Sequence, residues 1–368
     1  MKPGTFYFAG GGTGGHIYPA LAVAEKLVEL EPRVKIHFFI SGRDIDSHIL
    51  SRTNFAYSIL PAIGLSLKPS GFIRFVSLFF DSFRIAKQTL SRANNPVVIG
   101  VGGFVAAPVC RAGYKLHIPV KLLNVDIVPG RANKVARRWA DEVFLQFEET
   151  AEYFARKGVR ATVTGCPLRN AFADPNPAKA IGELGLDKDK KILLITGASS
   201  GSQNINEAVC SLLEKLADFS SEWQIVHLTG KRNFDSVKER YAGETINSKV
   251  LDYYDSMPDL LCAADLVIGR SGAVSVAEYA AAALPSICIP YPYHKDRHQY
   301  LNAEKLVRAG AAVVVDDLPD ANERCEWLWE ELKQLLKDEQ RRQKMVESAQ
   351  KVSSVDAAEK ITRILLSI

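Results

Sequence analysis

Short apolar runs alternate with amphipathic stretches along most of the chain. The runs are three to six residues long, as short buried strands are, and the stretches between them carry apolar residues at helical spacing. In the first half, the pattern predicts strands at Thr5–Ala9, Lys35–Ile40, Val97–Gly100, Val120–Asn124, Glu142–Leu145 and Ala161–Thr164. Pro19–Leu30 is the clearest predicted helix, with proline in its first turn and an apolar face. The pattern is typical of parallel strands joined by crossover helices.

A second series of strands begins near the middle of the chain. It comprises Lys191–Thr196, Gln224–Leu228, Val250–Tyr253, Leu266–Ile268, Ser286–Ile289 and Ala312–Val315. Residues 169–191, between the two series, contain two prolines, two glycines and mixed charge, as a linker does. We therefore predict an α/β protein of two Rossmann-like domains facing across a cleft. Their expected bounds are 1–168, joined by the C-terminal helix 350–368, and 169–349.

Composition and charge exclude several classes of protein. The 368 residues are 47% hydrophobic and 24% charged, which is ordinary globular composition. The 46 Lys+Arg against 42 Asp+Glu give a net charge of +4, too mild to indicate a nucleic-acid partner. The six cysteines form no CxxC pair, so neither a zinc site nor a disulfide framework is predicted. With no signal-peptide pattern and no run of 18 apolar residues, we expect a cytoplasmic protein without a membrane span.

The first glycine cluster, residues 10–15, reads GGGTGG and precedes His16. It contains GxGxxG between a strand and a helix, for which a nicotinamide dehydrogenase is the usual interpretation. That interpretation expects an acid at the end of the second strand, where the sequence reads FFISGR over 38–43. The acid is missing there, although Arg43 leaves an NADP-dependent oxidoreductase open as an alternative. The absence of GxxxxGK[ST] argues against a nucleoside triphosphatase.

Two further glycine turns, at 100–103 and 197–201, also follow predicted strands. Glycine lets the backbone approach an anion closely, and a helix N-terminus adds N–H groups and partial positive charge. Three such clusters favour one or two polyphosphorylated ligands. His16 is either a helix-start residue bonded to backbone or a neutral imidazole able to accept a proton from an attacking hydroxyl.

Residues 269–299 contain the most informative stretch. A turn at Arg270–Gly272 is followed by Ala273, Val274 and Ser275, which begin a predicted helix. The N-terminus of this helix is a second candidate binding site for a diphosphate. Glu278 follows Ser275 by three residues, so the pair fits a capping box. The Glu278 carboxylate equally fits a contact to both hydroxyls of a ribose, and spacing does not separate the two interpretations.

The segments GGGTGGHIYPALAVAEKL, GVGGFVAAP, GCPLR, GASSG and GRSGAVSVAE…PYPYHKDRHQ occur in this order over nearly the whole chain. Their combination resembles the MurG family of bacterial glycosyltransferases, in glycosyltransferase family 28. The resemblance implies the GT-B fold, with UDP-N-acetylglucosamine in the C-terminal half and a lipid acceptor in the N-terminal half. It implies inverting transfer of N-acetylglucosamine to the C4 hydroxyl of undecaprenyl-pyrophosphate muramyl-pentapeptide (lipid I), forming lipid II for peptidoglycan synthesis, with no metal or other cofactor. Consistent with that, the DxD at Asp44–Asp46 lies outside these segments.

The resemblance also implies which residues form the site. His16 would be catalytic, as general base or as a stabiliser of the departing diphosphate. The acceptor pyrophosphate would be cradled by Gly14, Gly15, Gly102 and Gly103. The donor UDP-N-acetylglucosamine would be bound by Thr13, Gly14, Gly15, Asp126, Arg169, Ser199, Tyr254, Ala273, Val274, Ser275, Glu278, His298 and Gln299. Among these, Glu278 would hold the ribose, and His298 and Gln299 would touch the sugar hydroxyls.

The sequence departs from the family pattern in three places. Residues 123–126 read LNVD where the family has His-Glu-Gln-Asn, and Asp126 accepts hydrogen bonds but donates none while ionised. Ser200 stands where glutamine is usual, and Tyr254 stands where a smaller apolar residue flanks the uracil. The altered segment at 123–126 keeps open a related GT-B enzyme that glycosylates another lipid, such as diacylglycerol. A non-catalytic sugar-nucleotide sensor is the alternative among binding proteins.

Residues 71–87 carry five phenylalanines interleaved with Arg74, Arg84 and Lys87. The segment fits either a helix buried in the N-terminal domain or an interfacial helix whose aromatic groups enter a membrane while its basic groups meet anionic lipid. A lipid-linked acceptor favours the second interpretation. We therefore expect peripheral attachment to the anionic cytoplasmic face of the bacterial cell membrane.

Overall fold

The computed structural model describes residues 4–12, 14–66, 68–198 and 201–368. The chain divides into two compact units, one of Met1–Asn170 with Val355–Ile368 and the other of Ala171–Ser354. Each unit is built on a parallel sheet with helices between its strands. The predicted α/β class with two parallel-sheet domains is therefore confirmed.

In the first unit, the described residues form a seven-stranded sheet in the order β3-β2-β1-β4-β5-β6-β7. Its strands are β1 Thr5–Ala9, β2 Lys35–Ile40, β3 Ala56–Ile59, β4 Pro96–Gly100, β5 Val120–Asn124, β6 Glu142–Leu145 and β7 Arg160–Val163. Its helices are α1 Gly14–Leu30, α2 Asp44–Leu50, α3 Pro69–Leu90, α4 Gly103–Lys115, α5 Arg131–Ala136, α6 Ala151–Ala155 and, from the end of the chain, α16 Ala357–Leu366. Helix α16 packs on α1, where the Thr362 hydroxyl donates to the Val23 carbonyl at 3.5 Å.

In the second unit, the described residues form a six-stranded sheet in the order β10-β9-β8-β11-β12-β13. Its strands are β8 Lys191–Thr196, β9 Trp223–Leu228, β10 Ser248–Leu251, β11 Leu266–Gly269, β12 Ser286–Cys288 and β13 Ala312–Val314. Its helices are α7 Pro177–Leu184, α8 Gln203–Cys210, α9 Leu213–Ala217, α10 Phe234–Arg240, α11 Met257–Ala263, α12 Ala273–Ala281, α13 His298–Ala309, α14 Ala321–Lys337 and α15 Glu339–Val352.

Three local predictions need correction. Strand β3 was not predicted, because Tyr57 and Ile59 are exposed on this edge strand and the segment lacks an apolar run. Helix α1 starts at Gly14 rather than at Pro19, so the glycines themselves form its first turn. The predicted linker contains α7, which Asn176 caps at its start and Gly185 ends in a left-handed conformation, with φ of 61°.

His227 in β9 makes the stability of the second unit depend on pH. The ring is fully buried, with Nδ1 2.9 Å from the Tyr241 hydroxyl and Nε2 3.1 Å from Asn206 Oδ1. Burial lowers the pKa of His227 to about 3, whereas the unfolded chain has a pKa near 6.5. Acid therefore protonates the unfolded chain first, and stability that is present above pH 6.5 is lost as the pH falls toward 3.

We expect the free energy of unfolding to drop by about 2 kcal/mol between pH 7 and pH 5 through this residue alone. Urea unfolding at both pH values, with and without His227→Gln, measures the contribution. The variant reduces the pH dependence by that amount if the buried ring is responsible. An unchanged dependence contradicts the prediction.

Candidate active site

The glycine clusters lie at the two points where strand order reverses. In the first sheet, β1 and β4 are neighbours, and their last residues Ala9 and Gly100 pair directly. In the second sheet, β8 and β11 are neighbours, and Thr196 pairs with Gly269. Open α/β sheets bind ligands at the carboxyl ends of strands at such switch points. Each unit thus has, beside the turns that the sequence singled out, the position at which such sheets form a ligand crevice; these two positions are called the first and the second crevice.

The first crevice brings His16 against the turn between β4 and α4. Helix α1 begins at Gly14, so His16 is its third residue, and Gly102 is the N-cap of α4. A Cβ on Gly102 would lie 2.7 Å from His16 Cδ2 and 2.8 Å from Nε2, so the ring rests directly on this glycine. Gly103 has φ of +73°, and a Cβ there would lie 2.3 Å from the Gly11 carbonyl oxygen. Both glycine turns and the imidazole form one packed cluster.

The His16 imidazole is held in its neutral form. Burial lowers its pKa, the nearby Arg43 charge acts in the same direction, and the carboxylates of Asp126 and Asp46 oppose them without reversing the shift. A neutral imidazole at neutral pH can accept a proton, whereas an imidazolium cannot. The environment therefore suits His16 to act as a base.

Asp126 lies in the loop after β5, where its carboxylate acts on His16. Asn124 Nδ2 donates to the Asp126 carbonyl at 2.7 Å, and Asn133 Nδ2 in turn donates to Asn124 Oδ1 at 3.1 Å. This side-chain network fixes the backbone at Asp126. The structure thus brings Asp126, which was predicted as a donor-sugar contact, to the same edge of the sheet as His16.

Asp46 belongs to the first crevice, although sequence reasoning placed it outside the functional segments. The Gly12 N–H donates to its Oδ1 at 2.7 Å and to its Oδ2 at 2.8 Å, and the Ser41 hydroxyl also donates to it. Arg43 Nη1 donates to the Gly12 carbonyl at 2.8 Å, so this guanidinium is engaged within the protein. Asp46 thus lies six residues beyond the end of β2, further along than the position at which the dinucleotide-binding pattern expects an acid.

In the second unit, α12 begins at Ala273 as predicted, with Gly272 as its N-cap. Its first turn is Ala273, Val274 and Ser275, the end of a helix that attracts anions. Ser275 lies inside the helix and is not its N-cap, so the capping-box interpretation of Ser275 and Glu278 is wrong. Glu278 lies about one turn further along the same helix.

Arg270 ties together the loops at the carboxyl edge of the second sheet. Its buried guanidinium donates from Nη1 to the Ile289 carbonyl at 2.9 Å and from Nη2 to the Ser202 hydroxyl at 2.7 Å, and Nη2 lies 2.8 Å from Asp317 Oδ2. Asn204 Nδ2 donates to the other Asp317 oxygen at 2.7 Å. These partners follow β12, β8 and β13. The sequence analysis did not predict this network. Its indication in the sequence is an arginine, Arg270, inside a turn of small residues.

His298 and Gln299 open α13, after the loop that follows β12. His298 Nδ1 lies 2.7 Å from Asp296 Oδ1, and its ring stacks on that of His294 with centroids 4.3 Å apart. Gln299 Oε1 accepts from the Tyr291 N–H at 2.9 Å. Both predicted sugar-contacting side chains therefore also order the loop in which they lie.

The remaining predicted residues are spread more widely. The Tyr254 hydroxyl, in the loop after β10, donates to Glu183 Oε2 at 2.7 Å on α7. The Arg169 guanidinium lies in the first unit, 4.6 Å from the centroid of the Tyr18 ring on α1. Thr13 and Ser199 lie outside the described residues.

Comparison with known proteins identifies the class to which these two units belong. Residues 6–145 match the glycosyltransferase family 28 N-terminal domain, and residues 192–361 match the glycosyltransferase family 28 C-terminal domain. A crystal structure of Acinetobacter baumannii MurG covers 100% of both chains with a TM-score of 0.72 at 24% identity, which shows the same fold. The fold is thus the predicted GT-B architecture.

Two sequence relatives make the assignment more specific. An enzyme of Thermoanaerobacter sp. (strain X514) is 33% identical and covers 99% of each chain, and one of Oenococcus oeni is 34% identical and covers 98% of this chain and 96% of its own. Both are named "UDP-N-acetylglucosamine--N-acetylmuramyl-(pentapeptide) pyrophosphoryl-undecaprenol N-acetylglucosamine transferase". The chain belongs to glycosyltransferase family 28, in its MurG branch.

Proposed function

We propose that the protein transfers N-acetylglucosamine from UDP-N-acetylglucosamine to the C4 hydroxyl of the muramyl residue of lipid I, forming lipid II for peptidoglycan synthesis. The observation that carries the proposal is the pair of switch-point crevices, each with a glycine turn and a helix N-terminus, one of which also holds a neutral histidine. Two such crevices suit a reaction with two pyrophosphate-bearing substrates. The named function of the family relatives supports the same substrates.

On the acceptor side, the N-terminal turns of α1 and α4 would hold the lipid pyrophosphate through Gly14, Gly15, Gly102 and Gly103. His16 would take the proton from the C4 hydroxyl as the oxygen attacks the anomeric carbon. The new O4–C1 bond forms on the face opposite the leaving group, so the configuration inverts. His16 suits this step because it is neutral and touches the α4 turn.

On the donor side, the first turn of α12 would face the diphosphate of UDP. The C1–O bond to the β-phosphate breaks and its electron pair leaves with UDP, so negative charge grows at the diphosphate. The positive end of a helix stabilises such charge without reorganising. Glu278 would accept hydrogen bonds from the ribose hydroxyls, and His298 and Gln299 would contact the sugar.

Acceptor competition tests the proposal. The purified protein would receive UDP-N-acetylglucosamine with a lipid I analogue, with diacylglycerol, or with both, and UDP release would be followed. We expect UDP release with the lipid I analogue and none with diacylglycerol alone. Release driven by diacylglycerol would favour a related lipid glycosyltransferase, and UDP-sugar binding without turnover would favour a sensor.

Helix α3 supports attachment to a membrane. Its buried residues are Ser82, Ala86 and Leu90, all in the second half, whereas Phe72 is 49% exposed and Ile73 is 70% exposed in the first half. The core-helix interpretation thus fits only the second half. None of the described helices combines the length and apolar character that a bilayer crossing requires. We propose that the first half of α3 lies in the headgroup region of the anionic cytoplasmic leaflet.

Replacing both Phe72 and Ile73 by serine tests this attachment. The apolar contribution of the two side chains is about 3 kcal/mol or more, so we expect at least a tenfold loss of binding to vesicles that contain anionic phospholipid, measured by co-sedimentation. Turnover of a water-soluble acceptor analogue stays unchanged. Trp327→Ser, which removes a side chain that is 54% exposed on α14, is the control and keeps vesicle binding. Equal binding by all three proteins contradicts the prediction.

A further inference from the structure

Asp46 is a fully buried carboxylate whose hydrogen bonds converge on one glycine. It is the third residue of α2 and has 0% exposure. Burying a charged group is costly unless hydrogen bonds satisfy it. Both carboxylate oxygens accept from the Gly12 N–H, at 2.7 and 2.8 Å, and the Ser41 hydroxyl supplies a further bond. The positive N-terminal end of α2 stabilises the same charge.

Arg43 holds the other side of Gly12. Its Nη1 donates to the Gly12 carbonyl at 2.8 Å, and its guanidinium carbon lies 5.3 Å from the centroid of the Phe104 ring. Phe104 is the second residue of α4. Opposite charges therefore fix the N–H and the carbonyl of one residue, and the cationic partner also contacts the helix that bears the second glycine turn.

The close approach of Asp46 requires a glycine at position 11. Gly11 has φ of +152°, and a Cβ there would lie 2.3 Å from Asp46 Oδ2. The carbonyl of the same residue is the group that Gly103 packs against, and the adjoining Gly102 carries the His16 ring. A continuous series of contacts therefore leads from Asp46 through Gly11 to the turn on which the imidazole rests.

We propose that Asp46 and Arg43 form a clamp that positions Gly11, Gly12 and the His16 ring for proton transfer. The inference rests on the proposed function, since it names residues that position His16, the base of the proposed reaction. The charged groups that act on His16 are Asp126 after β5, Asp46 on α2 and Arg43 just before α2. Asp46 and Asp126 favour the imidazolium, and Arg43 disfavours it.

The test is an NMR titration of the His16 ring in the full chain, without substrates, with the resonance assigned by its loss in His16→Gln. Asp46→Asn removes a charge while keeping an oxygen that can accept from the Gly12 N–H, and it should lower the pKa of His16. Arg43→Gln should raise it. Asp44→Asn, which removes an exposed acid from the same helix, is the matched control and should leave the titration in place. Shifts of the same sign, or none, overturn the clamp.

Kinetics supply the second measurement. The acidic limb of the kcat profile should move to lower pH in Asp46→Asn and to higher pH in Arg43→Gln. Asp46→Ala, which also leaves the Gly12 N–H without its acceptor, should lose about 10- to 100-fold in kcat with an unchanged KM for UDP-N-acetylglucosamine. Asp46→Asn should recover much of that loss at its own pH optimum. Wild-type kcat in Asp46→Ala overturns the positioning role.

The two proposals fail in distinguishable ways. If the wild-type protein transfers no sugar but the His16 titration shifts with opposite signs, the proposed function fails and the clamp stands as a property of the structure. If the protein is active and the titration does not respond to either variant, the clamp fails and the proposed function stands.

Discussion

His16→Ala lowers kcat for sugar transfer by about 10² to 10⁴-fold, the range that a general base contributes. The reason is geometric and electrostatic. The imidazole rests on Gly102 at the start of α4, and burial with the Arg43 charge lowers its pKa, so it is ready to accept the acceptor proton. KM for UDP-N-acetylglucosamine changes little, because α12, which we propose binds the UDP diphosphate, belongs to the other unit.

The matched control for this variant is His48→Ala. His48 is an exposed histidine on α2 and should keep wild-type kcat. Because the base must be deprotonated to act, activity should fall as the pH drops through the lowered pKa of His16, below 6.5. A loss of less than about tenfold in His16→Ala would show that another group takes the proton.

Arg270→Met destabilises the second unit by about 3 to 5 kcal/mol, the range found when one partner of a buried ion pair is removed. The substitution keeps much of the side-chain volume but leaves Asp317 without the cation at 2.8 Å and removes the donors to Ile289 and Ser202. Urea unfolding followed by tryptophan fluorescence measures the loss, since Trp223, Trp327 and Trp329 all lie in this unit.

Two further variants test whether the loss of stability in Arg270→Met comes from the buried ion pair. Arg308→Met breaks an exposed ion pair with Glu304 on α13 and should cost no more than about 1 kcal/mol. Adding Asp317→Asn to Arg270→Met should recover part of the stability, because the buried carboxylate, left with Arg324 at 3.7 Å as its ion-pair partner, then no longer carries a charge. If the two arginine variants unfold alike, the buried network does not hold together the loops that follow β8, β12 and β13.

The fold was predictable because most strands are buried on both faces. Five strands, β1, β2, β5, β6 and β8, have the predicted bounds, and their apolar runs leave few other interpretations. Strand β3 was not predicted because an exposed edge strand does not need a continuous run of apolar residues. Helix α7 was not predicted because the residues at its ends, a proline in the first turn and a glycine at the C-cap, are also typical of a linker.

The parts of the candidate site that are formed by residues close together in the sequence were predictable. A glycine turn between a strand and a helix is visible in the sequence, and the strand order places it at a switch point. The Gly12–Asp46 contact joins residues 34 positions apart, and the Arg270–Ser202 contact spans 68. No local spacing encodes such contacts, so a buried charge that supports a loop from another element emerges only once the sheet is assembled.

The structure of the product tests the proposed reaction most directly. The purified protein would be incubated with UDP-N-acetylglucosamine and a lipid I analogue, and the isolated product would be examined by NMR. Transfer with inversion to the C4 hydroxyl predicts equimolar UDP and an N-acetylglucosamine joined to the muramyl C4 oxygen by a β linkage. An α linkage, attachment at another hydroxyl, or no disaccharide with fully folded protein would contradict it.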